Sequence, residues 1–86
     1  MKIKYKKQAS KYLDKVDANT RAKLDNAIAG LGELKGDIVK IKGTDLYRLK
    51  IDHYRIGFSY DSVAEEIIVE AILPRGDFYK NITQRG

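Results

Sequence analysis

The stretch LYRLKIDHYRIGFSY, residues 46–60, carries the strongest fold signal in the chain. Two runs of alternating apolar and polar residues meet at Asp52 and His53, and this pattern predicts a β-hairpin with a two-residue turn. In that register Lys50 lies directly opposite Arg55. Like charges in such a pair cost roughly 0.2–1 kcal/mol, so packing alone does not explain them.

Alternation also predicts which face of the hairpin carries these charges. Successive side chains point to opposite faces of a strand, so Arg48, Lys50 and Arg55 share the face turned away from the core. Gly57 lies opposite Arg48 and leaves room for a ligand in this interpretation. The pattern therefore indicates an anion site. The alternative is an ordinary solvated sheet face, with Asp52 and nearby acids as partners.

The rest of the chain predicts a single α+β domain over residues 1–86, with about 81–86 as a flexible tail. The predicted elements, in chain order, are a half-buried strand (1–6), a helix (7–16), a second helix capped by Asp17 or Asn19 and ended by Gly30, Gly32 and Gly36, a stretch that fits a short strand and a turn (37–45), the hairpin, and a nearly continuous apolar strand ended by Pro74. This order predicts an N-terminal strand and a two-helix hairpin packed on one face of an antiparallel sheet.

Composition narrows the functional classes. The 86 residues carry a net charge of +5, which favours a polyanion or an acidic protein as partner, although a solubilising surface is the commoner explanation of charge alone. The chain has no cysteine and one histidine, so no disulfide, metal or cofactor is expected. No apolar run is long enough for a signal peptide or a membrane span, and we expect a cytoplasmic protein with no membrane partner.

The segment LPRGDFYK, residues 73–80, adds to the hairpin. Arg75 follows the apolar strand, and Tyr79 comes shortly after. Four cations and a phenol suit a phosphodiester with a stacked base, as single-stranded RNA is generally bound. The alternative is that Tyr79, or Phe78 in its place, is a hydrophobic plug over the sheet edge. His53 is interpreted as an ordinary turn residue.

Four pieces in order carry a family resemblance over residues 1 to about 80. They are the opening MKIKYKKQASKYLDKVD, the D-x-x-T-R helix start at 17–21, the hairpin KIKGTDLYRLKIDHYRIGFSY and the ending LPRGDFYK. The chain resembles toxins of the RelE/ParE superfamily from bacterial type II toxin–antitoxin systems, on the RelE-like branch. The resemblance implies a RelE-like fold, in agreement with the predicted element order.

The resemblance also implies an activity and its partners. RelE-like toxins are ribosome-dependent endoribonucleases that cut mRNA in the ribosomal A site, and a cognate antitoxin holds them inactive. Operator DNA is reached only through the antitoxin complex. The family's site residues correspond here to Arg48, Lys50, Arg55, Arg75 and Tyr79. The family prototype has lysine where this chain has Arg48, and arginine is a poor base.

The expected chemistry distributes roles among these residues. Arg48 and Arg55 neutralise charge, Arg75 lies near the leaving oxygen as electrophile or acid, and Lys50 is the candidate base because crowding by arginines lowers an amine's pKa. Tyr79 is the alternative base or a stacking platform. Three rival functions stay open: a non-enzymatic poison of DNA gyrase like ParE, an inactive homologue that binds only antitoxin or operator, and a general RNA-binding module.

Overall fold

The computed structural model describes residues 2–84, and of Tyr79 and residues 81–84 it describes the backbone only. The elements are β1 (Lys2–Tyr5), α1 (Lys7–Lys15), α2 (Ala18–Leu31), β2 (Asp37–Lys40), β3 (Tyr47–Ile51), β4 (Tyr54–Asp61), β5 (Glu66–Pro74) and α3 (Arg75–Gln84). The strands form one five-stranded sheet in the order β1-β5-β4-β3-β2. β1 pairs with β5 in parallel and the other pairs are antiparallel. The predicted α+β fold class is confirmed.

The core lies between the sheet and the first two helices. Leu24, Ile28 and Leu31 of α2 recur at helical spacing and are at most 1% exposed. They join Ala9 and Leu13 of α1 against a set of sheet residues from β3, β4 and β5: Leu49, Ile56, Phe58, Ile67, Val69 and Ile72. Burial of one such aliphatic side chain contributes about 1.5–3 kcal/mol to the stability of the fold. This interface therefore holds in place the sheet that carries the hairpin cations.

Two of the predicted end signals lie at the ends of α2, although Asp17 makes no side-chain cap hydrogen bond and Gly30 lies within the helix. Asp17 directly precedes α2, and Gly32 directly follows its last residue. Gly36 has φ +124°, and a Cβ built there would lie 2.6 Å from Leu49 Cδ1, so glycine is required at this close approach. The ambiguous stretch contains a strand, β2, followed by a turn in which the Thr44 hydroxyl donates to the Ile41 carbonyl at 2.8 Å.

The C-terminal helix α3 was not predicted. The sequence predicts a flexible tail over about 81–86. In the structure α3 continues to Gln84, and residues 85 and 86 lie outside the described part of the chain. Phe78 of α3 is fully buried and contacts Gly57 on the sheet face opposite α1 and α2. The cationic face of the sheet is therefore partly covered by a helix.

Candidate active site

The hairpin register is the one that the sequence predicts. Lys50 pairs with Arg55, Ile51 with Tyr54, and Arg48 with Gly57. Asp52 and His53 form the turn, and Asp52 has φ +51°, a left-handed conformation in which Asp and Asn are found more often than most residues. The register places two cations directly opposite each other, next to the turn.

The three hairpin cations differ in exposure. Lys50 is exposed and its cross-strand neighbour in β2 is Asp37, so an acid on one side offsets the like charge on the other. The Arg48 side chain is only 16% exposed, and its Nη1 lies 3.8 Å from Asp37 Oδ1. The alternative interpretation, in which nearby acids partner the cations, is correct for Arg48.

Arg55 does not project from the sheet as predicted. It is 5% exposed, and its Nη1 donates to the carbonyl oxygens of Asp52 at 3.1 Å and Tyr54 at 2.9 Å. Its Nε is buried and has no hydrogen-bond partner among the described residues. Arg55 therefore holds the turn through one nitrogen, while another polar atom of the same guanidinium is left unsatisfied. A buried unpaired donor is costly and can mark a site that a ligand completes.

The predicted ligand space at Gly57 is absent. A Cβ at Gly57 would lie 3.0 Å from Phe78 Cε1 and 3.2 Å from Cζ, so the ring of Phe78 fills the space that the missing side chain leaves. The prediction was wrong because it treated the face as open, without the helix that covers it. Phe78, one of the two candidates, is the hydrophobic plug.

Arg75 is brought to the hairpin turn by the backbone. Its N–H donates to the His53 carbonyl at 2.8 Å, and Arg75 itself is exposed at the first position of α3. The structure thus assembles Lys50, Arg55 and Arg75 around one end of the hairpin, with Arg48 one pair further along β3. The sequence contains no signal for the contact between residues 53 and 75, because it joins backbone groups that are distant in the chain.

An ion pair braces the same turn from the helix side of the sheet. Lys23 Nζ in α2 lies 2.7 Å from Asp52 Oδ2. The ammonium of Lys23 lowers the pKa of Asp52, with a smaller contribution from His53, and Asp52 in turn raises the pKa of Lys23. Asp52 therefore forms its ion pair with Lys23 of α2 and not with the cations of β3 and β4.

Three points concern parts of the molecule outside this cluster. The side chain of Tyr79 lies outside the described atoms, so its predicted role stays a prediction. Within residues 2–84, no group of three or more His, Cys, Asp or Glu side chains is arranged to hold a metal ion. In the same range, no helix combines the length and apolarity needed to cross a membrane.

The fold of this chain is found in several solved proteins. The chain is similar to a chain of the RelB–RelE antitoxin–toxin complex from Methanococcus jannaschii, with 28% identity, a TM-score of 0.72 and coverage of 91% of this chain and 96% of that one. It is also similar to the isolated Escherichia coli RelE toxin, with 19% identity, a TM-score of 0.74 and coverage of 98% and 96%. A YoeB/ParE toxin from Agrobacterium tumefaciens matches with 13% identity, a TM-score of 0.75 and coverage of 86% and 98%.

The match at 28% identity confirms the resemblance to the RelE-like toxin superfamily, and the two more distant matches confirm the fold. No protein-family model and no curated protein matches the chain.

Proposed function

We propose that this protein is the toxin of a type II toxin–antitoxin system and that it cuts mRNA on the ribosome. The observation that supports this most is the convergence of Lys50, Arg55 and Arg75 at one end of the hairpin, fixed by the β3–β4 register and the bond from Arg75 N to the His53 carbonyl. Two of the three, Lys50 and Arg75, are exposed and accessible to a phosphodiester. Cationic side chains at such a point suit a reaction that builds negative charge on phosphorus.

The proposed reaction uses the substrate's own nucleophile. The 2′-OH of the RNA attacks the adjacent phosphorus, so the protein has to align it, accept its proton and stabilise the charged phosphorane. Lys50 is the proposed base, Arg75 stabilises charge near the leaving 5′-oxygen, and Arg48 supplies longer-range positive charge. The reaction in this form uses no metal.

Arg55 has a different proposed part. Its Nη1 is committed to two carbonyls of the turn, so it holds the turn in place and only its remaining donors are free to face a phosphate. The buried Nε without a described partner fits a group that is satisfied when substrate binds. Lys50 is exposed, so water screens its repulsion from the arginines. Tyr79 stays the alternative base or a stacking platform for a base.

The proposed partners follow from charge and from the relatives. The M. jannaschii match comes from a complex of an antitoxin with a toxin. A net charge of +5 suits an acidic antitoxin segment that covers the basic face, and electrostatic complementarity of this kind speeds association. An apolar groove of about 200 Å³, lined by Leu34, Ile38, Tyr47, Phe58 and Tyr60, is available for apolar antitoxin side chains. Ribosome and mRNA are the proposed targets, and operator DNA is reached only through the antitoxin.

One observation favours a second candidate, a poison of DNA gyrase that performs no chemistry. Arg48 is paired with an acid and Arg55 is largely used by the fold, which is expected if the sheet-face cations are incidental. The fold does not separate the two candidates, since a protein described as YoeB/ParE also matches it.

Induction in cells separates these functions. We expect rapid translation arrest and mRNA 5′ ends phased with codons after induction of the wild type. Lys50→Ala and Arg75→Ala should abolish both effects, whereas Lys42→Ala, which removes an exposed lysine from the β2–β3 turn, should preserve them. Replication arrest with altered supercoiling and intact mRNA would instead establish the gyrase poison. If neither translation nor replication is affected, only the binding functions remain.

A further inference from the structure

One end of the sheet carries apolar side chains that the fold leaves uncovered. Five large apolar side chains in the described part of the chain are exposed, and three of them belong to this end: Leu34, Tyr60 and Val63. Leu34 and Tyr60 border the apolar groove of about 200 Å³, and Val63 follows Tyr60 in the turn between β4 and β5. Exposed apolar surface of this kind on a small domain marks sites of interaction.

Val63 protrudes from the molecule without a structural task. It is 94% exposed. The turn is held by Asp61, whose Oδ1 accepts the N–H groups of Val63 at 3.0 Å and Ala64 at 3.1 Å. Both bonds use the backbone of the turn, so a polar side chain at residue 63 would serve the fold as well, and turns favour polar residues and glycine. The β-branched side chain is therefore available to a partner.

The groove has the size and the chemistry to receive this side chain. An apolar cavity of about 150 Å³ admits a benzene molecule, so a groove of about 200 Å³ accommodates a valine side chain. Val63 of the same chain does not fill it, because it is 94% exposed. A valine from the same position of a second copy can enter it. The residues that would surround this valine are Leu34, Ile38, Tyr47, Phe58 and Tyr60.

Charged groups beside the groove complement those of the turn. Lys40 pairs with Tyr47 of the groove wall and, by strand alternation, shares the sheet face of Ile38. On the turn side, residues 61–65 carry two acids and no base. Lys40 and Glu65 are exposed, and neither forms an ion pair with another residue that the structure describes. Both are available for an opposite charge on a second molecule.

A two-fold axis accounts for these features together. In an isologous contact the same patch serves on both copies, so the protruding side chain and the groove that receives it have to lie close together on one molecule. Val63 is three residues from Tyr60 of the groove wall, and the strand registers place Lys40 and Glu65 at the same end of the sheet. The turn of each copy then meets the groove of the other, with the same contacts made twice.

We propose that two copies of this chain associate through this end of the sheet, with Val63 of each copy in the groove of the other and Glu65 of each copy beside Lys40 of the other. The surface is small, so the association is weak and reversible. The cationic hairpin turn lies at the opposite end of β3 and β4, so the association does not depend on the proposed cleavage. An antitoxin that uses the groove competes with the second copy.

The first test is sedimentation velocity over about 1 µM to 1 mM protein, the range of weak complexes. The wild type should pass from monomer to dimer as its concentration rises. Val63→Ser should weaken the dimer by about 100-fold, because each dimer buries this side chain twice. Val39→Ser makes the same change at a valine that is 48% exposed on the other face of β2, and should leave the dimer unchanged. A wild type that stays monomeric, which leaves the groove to the antitoxin, or a dimer that responds equally to both variants would overturn the inference.

The second test exchanges the two charges. Lys40→Glu and Glu65→Lys each place like charges across the interface, so each alone should weaken the dimer by about tenfold at low salt. The double variant restores opposite charges and should associate within a few-fold of the wild type. At about 1 M salt, where screening is nearly complete, the single variants should approach the wild type. A double variant that associates no better than the single variants would show that these charges do not meet, and would overturn the proposed contact.

Discussion

The contact between Gly57 and Phe78 holds α3 against the sheet. It predicts that the effect of Gly57→Ala on the free energy of unfolding changes sign when the Phe78 ring is removed. A Cβ at residue 57 would lie 3.0 and 3.2 Å from two ring carbons of Phe78, whereas ordinary contacts begin at 3.4 Å. Gly57→Ala therefore forces the ring, or the start of α3, to move by a few tenths of an ångström. Overpacking of this kind costs about 1–3 kcal/mol.

The same substitution should stabilise a variant that lacks the ring. Replacing glycine by alanine stabilises by about 0.4–1 kcal/mol where the native conformation permits it, since it restricts the unfolded chain. Phe78→Leu keeps an apolar side chain but removes the ring edge. In that background we expect Gly57→Ala to be neutral or stabilising, so the two substitutions couple by at least about 1 kcal/mol.

Urea unfolding of the four proteins, wild type, two single variants and the double variant, measures this coupling. A destabilisation by Gly57→Ala of the same size in both backgrounds would refute the contact. The movement should also reach the site, because α3 begins at Arg75, whose N–H is bonded to His53. Gly57→Ala should therefore reduce mRNA cleavage at temperatures where the protein is still fully folded.

Three other predictions concern the framework of the site. Asp52→Asn removes the pairing with Lys23 that lowers the pKa of this carboxyl. The stability difference from the wild type should be full above the ordinary Asp pKa of about 3.9 and shrink as the pH falls through the lowered pKa. A difference in thermal melts that does not shrink as the pH is lowered would contradict this. The Gln8 amide donates to the Ile72 carbonyl at 3.0 Å and accepts the Ile72 N–H at 2.9 Å. Gln8→Leu should therefore lower the free energy of unfolding by about 1–3 kcal/mol and speed hydrogen exchange at the Ile72 amide. Unchanged exchange would show that these bonds are not formed in solution. Gly36→Ala should lower the melting temperature, because φ +124° and the 2.6 Å approach to Leu49 exclude a Cβ, and an unchanged melting temperature would argue against that geometry.

Sequence alone predicted what local rules determine. The alternation of 46–60 and its two-residue turn set the β3–β4 register, and the structure has that register, with Lys50 opposite Arg55. The helix limits agree with the apolar spacing and with Asp17 and Gly32, one of the two predicted starts and one of the three glycines predicted to end α2. These features depend on neighbours within a few residues, so a single sequence contains their signals.

What the sequence did not reveal depends on distant contacts. α3 is largely polar and is anchored by Phe78 in a space that exists only once β4 and β5 are paired. The burial of Arg55 and the meeting of Arg75 with His53 depend on that helix, and so were not predicted. Arg48 is paired with Asp37 because the short strand β2, which the sequence left ambiguous, lies beside β3.

Cleavage by the purified protein tests the central proposal most directly. Ribosomes programmed with a defined mRNA are mixed with excess protein, and the 5′ ends of the products are mapped over time. We predict a cut at the A-site codon, a loss of about 10²–10³-fold in rate for Arg75→Ala and Lys50→Ala, and no loss for Lys42→Ala, with all variants equally folded. Intact mRNA with wild-type protein, or equal cutting by all four proteins, would contradict the assignment of this site to RNA cleavage.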